Sequence, residues 1–230
     1  MDDKYYRDLI DKANLSKKRA VVSKLTLFLQ VSFIVILMCS GFGACQKNNK
    51  LIINIQPINH NIDNIEETID KFDDYLKNIG LRNYEIRLCS ISHAPDGAYI
   101  SCSYEDMDWW RFRADSLIKY LDNKNRNEFT IGVTKTDISC TIHGVKDFGV
   151  LGLSFLGHKH NACVVSTFRL KNEKNLWKLM AHEFTHGYFS KGHCKADDPH
   201  CIMQDAKKKP NFAIKDSLCS VCRKEIELNF

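Results

Sequence analysis

Outside its first 45 residues the sequence has no marked excess of one charge sign, no internal repeat, and no low-complexity stretch beyond a short polar linker at about residues 46–50. Lys and Arg number 33 against 28 Asp and Glu; residues 1–45 hold seven and four of these, which leaves 26 against 24. That balance removes the electrostatic basis for binding nucleic acid. Without a repeat period, a stacked-repeat architecture is excluded as well. The 230 residues, 44% of them hydrophobic, suffice for one globular domain with a real core and an appendage.

Long uncharged runs are also missing, with one exception. Leu25 to Cys45, "LTLFLQVSFIVILMCSGFGAC", carries no charge and is long enough to cross a bilayer. Lys17, Lys18, Arg19 and Lys24 precede it, so the positive-inside rule keeps the N-terminus in the cytoplasm and exports the chain beyond residue 45. Two readings share this expectation. The run is an uncleaved signal anchor, or a bacterial lipoprotein signal cut before a lipidated Cys45, the reading favoured by small residues leading into that cysteine and polar "QKNNK" after it. The expected organisation is a leader and anchor over 1–45 and a membrane-tethered, non-cytoplasmic domain over 46–230.

Hydrophobic patterning within 46–230 predicts an α/β fold. Lys50–Ile58 and Asn83–Ile91 read as strands. Between them Ile62, Ile65, Ile69, Phe72 and Leu76 recur at helical spacing until Gly80. Met107–Lys124 reads as a second helix, with Trp110, Leu117, Ile118 and Leu121 in the core. Glu128–Ile138 is a third strand; Asp147–Gly157 and Asn161–Leu170 are two more, joined through "GHKHN". Asn172–Phe189 is a third helix. The order predicts a mixed, mostly parallel twisted sheet with packed helices. After Gly192 the chain is polar and cysteine-rich with no long apolar period, so this tail needs a staple.

The third helix carries the chemistry. In "HEFTHGYFSKGHC", His182 and His186 stand at i and i+4 and share one helix face, and Glu183 lies beside them. This is the H-E-x-x-H arrangement, in which two imidazoles hold zinc and the Glu takes a proton from water. A third protein ligand is required; His193 is the first choice because it abuts Cys194, with His200, Asp197 and Asp198 as alternatives. Gly187 or Gly192 is expected to break the helix and let the chain return.

Ten cysteines are many for this length. Cys194, Cys201, Cys219 and Cys222 include a C-x-x-C knuckle and suit a closed, structural zinc, with a pair of disulfides as the alternative. Cys89, Cys102, Cys140 and Cys163 are scattered and read equally as two disulfides or as buried thiols.

Together these residues resemble the archaemetzincins, whose hallmark is H-E-x-x-H-x-x-G-x-x-H-C followed by C-x-M and C-x-x-C. The matching positions are His182, Glu183, His186, the pair His193-Cys194, the triplet Cys201-Ile202-Met203, and Cys219 with Cys222. "IGVTKTDI", "VVSTFRL" and "FRADSLI" are similar to segments of the same family, and the resemblance spans roughly residues 50–230. Three departures stand out: the third His comes one residue late, Phe189 occupies the Gly slot, and the cysteine gaps differ. An N-terminal membrane segment is also not usual in the family. The resemblance implies a metzincin-like fold with two zinc ions. His182, His186 and His193 would hold a catalytic zinc, Glu183 would be general base, Met203 would form a Met-turn beneath the metal, and the four cysteines over about 194–230 would hold a structural zinc.

The expected activity is peptide-bond hydrolysis, with a peptide or protein substrate lying against a sheet edge around Phe148–Phe155. The alternative is a catalytically inactive, zinc-stabilised binding module of the same fold. A metal-scavenging reading rests on His158 and His160, expected instead to sit solvated on a hairpin. No propeptide cysteine switch is recognisable, although Cys89 and Cys102 stay open for that role.

Overall fold

The β-branched run after the linker forms β1 (Leu51–Ile58), an inner strand of a five-stranded sheet. A computed structural model describes residues 50–104, 107–142, 144–196, 198–205 and 213–227. The leader with Cys39 and Cys45, and the alternative ligand Asp197, lie outside the described residues. Among the described residues no helix is long and apolar enough to cross a membrane.

The helix α1 (Ile65–Asn78) comes after β1, with acidic Glu66 and Glu67 in its first turn and Lys77 in its last, which suits the helix dipole. Thr68, Phe72, Tyr75 and Leu76 are its buried side chains. β2 (Tyr84–Leu88) then pairs parallel to β1. β5 (Glu128–Thr134) pairs parallel to the other side of β1, and β9 (Ala162–Ser166) parallel to β5. The last strand, β8 (Gly152–Ser154), runs antiparallel on β9 and closes the order β2-β1-β5-β9-β8. The sheet is thus mixed and mostly parallel.

A second sheet was not anticipated from the sequence. β3 (Tyr99–Tyr104), β4 (Met107–Arg113), β6 (Ile138–Ile142) and β7 (Val145–Val150) form the order β3-β4-β6-β7. The expected helix over Met107–Lys124 is therefore corrected: only α2 (Ala114–Leu121) is helical. "WWRFR" alternates as a strand. Arg111 and Arg113 point one way to Asp137 and Asp147, and Phe112 is buried on the other. Trp110, expected in the core, is 63% exposed. Glu128–Ile138 is likewise two strands, since the chain bends after Thr134 and enters the second sheet at Ile138.

The inner strands β5 and β9 of the main sheet are buried on both faces. Along β9, Cys163 and Val165 enter one core with Phe72, Phe129 and Phe184, while Ala162 and Val164 enter the other with Phe112, Leu117 and Ile138. α3 (Leu176–Tyr188) packs in the first of these cores with Met180, Ala181 and Phe184 fully buried. The tail forms a further short helix, α4 (Ser220–Glu227), which buries Cys222 and Ile226. Cys89, Cys102, Cys140 and Cys163 are all free thiols, which settles that open choice against disulfides.

Candidate metal centre

α3 is a buried helix, and its burial fixes the direction of its functional side chains. His182, Glu183 and His186 are each less than a tenth exposed. Phe184 packs edge-on to Phe72 and Phe129, and Thr185 shares a 2.7 Å hydrogen bond with the Tyr75 hydroxyl of α1. These contacts hold the helix at one rotation.

Each helical histidine is oriented from behind. The Nδ1 of His182 donates to the Ile202 carbonyl at 2.7 Å, and that of His186 to the Lys191 carbonyl at 2.5 Å. Both Nε2 atoms then face forward and lie 3.0 Å apart. Two nitrogens on one tetrahedral zinc sit about 3.3 Å apart. His193 completes the set, its ring centroid 4.7 Å from that of His186, and one nitrogen from each of the three histidines falls within 4.8 Å of the others. Burial keeps the helical pair neutral: His186 is lowered to about 4, and His182 well below the ordinary value by burial and by the neighbouring His186. Neutral imidazoles with fixed tautomers are what a metal requires.

The chain reaches His193 without using a glycine as expected. α3 continues through Gly187, and the left-handed residue after it is Ser190, at φ 52°. Gly187 serves packing instead, because a Cβ there would stand 2.5 Å from the Ser154 hydroxyl and 2.7 Å from the Phe129 ring. Gly192 has open space around it and no positive φ. Phe189, in the slot where the family pattern has Gly, is buried against Phe184. The left-handed turn at Ser190 accommodates the additional residue, and His193 still converges on the helical pair. Of the alternatives, His200 donates its Nδ1 to the Ile214 carbonyl and, like Asp198, joins no candidate metal cluster among the described residues.

Glu183 projects from the next position of the helix onto the edge strand β8. A Cβ at Gly152 would lie 2.6 Å from its Cγ and 2.7 Å from its Oε1, so only glycine lets the carboxylate rest there. Burial raises its pKa to about 8. A divalent cation at the histidines would counter that rise.

Cys194, Cys201, Cys219 and Cys222 form the second cluster, their sulfurs within 4.8 Å of one another. The Sγ atoms of Cys194 and Cys219 are 3.6 Å apart, far beyond the roughly 2.05 Å of a disulfide and close to the roughly 3.8 Å of two thiolates on one zinc. Backbone N–H groups of Cys219 and Cys222 donate to the sulfurs of Cys201 and Cys219. Burial pushes Cys194 up to about 11 and raises Cys222 too. For Cys219, the Cys222 N–H and the neighbouring thiols outweigh burial and hold it below the usual range. Four crowded sulfurs of this kind are reconciled by a cation that deprotonates them all. Both clusters thus fit zinc, one with three nitrogens and an exposed side, the other with four sulfurs and three buried members.

Met203 is fully buried in the turn Cys201–Gln204, which also supplies the Ile202 carbonyl to His182. His160, expected to be solvated, is held by Asp122 at 2.7 Å and its side chain is only 15% exposed; it joins no metal cluster among the described residues. Sequence reasoning missed Gly152, Ser190 and Lys191. Gly152 lies outside any motif, Ser190 stands at an unspecified position inside the zinc motif, and a lysine has no pattern that announces a buried backbone role.

Among solved structures, the fold is similar to the crystal structure of archaemetzincin from Methanopyrus kandleri. The TM-score is 0.62 at 19% sequence identity, over 80% of this chain and 98% of that one. No protein-family model and no curated protein matches the chain. The likeness establishes an archaemetzincin-type mixed α/β fold for this chain.

Proposed function

We propose that the chain is a zinc-dependent metallopeptidase, tethered to a membrane by residues 1–45 and working outside the cytoplasm. The observation that carries the peptidase reading is the placement of Glu183: a buried carboxylate beside three convergent histidines and flat against the glycine of an edge strand. His182, His186 and His193 would hold the metal, and Cys194, Cys201, Cys219 and Cys222 a second, structural zinc. Zinc at the histidines supplies Lewis acidity toward a carbonyl oxygen and acidifies water. Glu183 takes the proton of the attacking water and delivers it to the leaving amine. β8, at the end of the sheet, offers its outer edge to an extended peptide, so the scissile bond is presented by main-chain pairing. The Ile202 carbonyl holds His182 from behind, and Met203 would form the turn beneath the metal. The tether rests on the apolar run and its basic flank.

The full-length chain, purified with zinc, should cleave an unstructured peptide. Glu183→Gln should retain about two zinc per chain and lose turnover by a factor of about 10²–10⁴. Zinc content near two with no cleavage by the wild-type chain would favour the inactive binding module of the same fold. Membrane flotation of full-length chain, absent on deletion of 1–45, tests the tether.

A further inference from the structure

A cavity of about 900 Å³ opens beyond the end of β8, beside the last turn of α3. Its walls come from the loop between α2 and β5, the hairpin between β8 and β9, and residues 187–189. Lys124, Arg126 and Lys159 line it together with His158. Asp122, the acidic residue of the lining, is already engaged by His160 and by the backbone N–H groups of Lys124 and Asn161. Nearby Glu128 accepts from the side chains of Asn54, Asn123 and Asn125. Lys124, Arg126 and Lys159 have no ion pair among the described residues. Three full cations thus surround a space in which the carbonyl end of α3 contributes only about half a negative charge.

The cavity is firmly built. Asn123 and Asn125 cap the backbone of their own loop, and the hairpin is tied to the end of α3 by the Gly157 N–H donating to Ser190 Oγ at 2.6 Å. It is also in line with the proposed cleft. Glu183 lies on Gly152 and Gly187 on Ser154, and the hairpin that walls the cavity begins directly after Ser154. Antiparallel pairing is the more stable ladder, and a peptide pairing that way with β8 runs its N-terminal half toward the hairpin.

We propose that this cavity binds acidic side chains on the N-terminal side of the scissile bond, so that the chain selects acidic peptides. This deepens the peptidase reading and rests on it for the position of the bond. The first measurement is fluorescence anisotropy with full-length Glu183→Gln chain. The probes are labelled peptides with a common apolar segment, carrying a block of Glu or of Gln before it, or a Glu block after it. At low salt the peptide with Glu before the segment should bind about tenfold tighter than its Gln counterpart. The advantage should shrink at high salt and vanish in the added Lys124→Gln/Arg126→Gln/Lys159→Gln triple substitution, with Lys159→Glu alone giving part of the loss. Equal binding of Glu and Gln peptides, or a preference that survives the triple substitution, overturns the proposal; preference for Glu after the segment overturns the direction. Cleavage by the wild-type chain is scored separately. Cleavage with no acidic preference removes this cavity's role and leaves the peptidase, whereas acidic binding with no cleavage of any peptide leaves the cavity and removes the peptidase.

Discussion

The two clusters differ in how they are held. The histidines come mainly from one helix and leave a side exposed at His193. The cysteines come from three separate stretches, with Cys201, Cys219 and Cys222 buried and two sulfurs accepting backbone N–H groups. Their dependence runs in one direction. Ile202, whose carbonyl orients His182, comes directly after Cys201. Lys191, whose carbonyl orients His186, sends its Nζ to Glu225 of α4, the helix that carries Cys222. His193 precedes Cys194, whose N–H donates to the Met203 carbonyl. Every histidine is therefore braced by a segment that the cysteines tie down, whereas the cysteines lean on the histidines only through that shared loop.

The sharpest way to break this asymmetry is Cys201→Ser. Structural zinc stabilises folding by on the order of 10 kcal/mol at pH 7, so its loss releases the tail. Zinc content of the full chain should fall from about two to near zero, because the carbonyls behind His182 and His186 move with it. His182→Ala should instead leave about one zinc. A Cys201→Ser chain that keeps one zinc at the histidines would show that the two clusters are independent.

A smaller effect separates chemistry from metal binding within the histidine site. Gly152→Ala places a Cβ 2.6 Å from the Cγ of Glu183, which must swing away. Zinc content should stay unchanged while kcat falls by about 10²-fold, the contribution of a positioned base. Loss of zinc in this variant would mean that β8 supports the ligands and not the carboxylate alone.

The same comparison explains what was legible in the sequence. The helical spacing of His182 and His186 and the C-x-x-C of Cys219 and Cys222 are short-range patterns, and periodicity reads such patterns directly. So are the apolar positions of α1 and the β-branched runs of β1 and β9. Residues that act across the fold carry no such mark. Gly152 matters because Glu183 comes to it from a helix 31 positions away. Ser190 takes a left-handed conformation that glycine usually takes, so sequence reasoning assigns the turn to the glycines on either side. β4 reads as helix because Trp110, Leu117, Ile118 and Leu121 fit a helical period once extended from α2; the strand is specified by pairing with β3, which the sequence does not display.

The smallest effect concerns the histidine site emptied of metal by a mild chelator, with the cysteine site still loaded. Burial holds His186 at about 4 and His182 well below its ordinary 6.5, so unfolding takes up protons in that interval and stability falls as pH drops through it. Glu183 works oppositely. Its folded value of about 8 lies above the ordinary 4.5, so the folded chain keeps a proton that the unfolded chain releases, and stability falls as pH rises between them. Below about pH 6.5 two histidines outweigh one glutamate; above it only the glutamate still titrates. The melting temperature should therefore peak near pH 6.5 and decline toward pH 8, by about 5 °C for roughly 2 kcal/mol. Glu183→Gln should flatten the alkaline decline and keep the acid limb, because glutamine has no proton to lose. An alkaline decline of equal size in that variant would place its origin outside the histidine site, in the cysteine cluster or elsewhere in the fold.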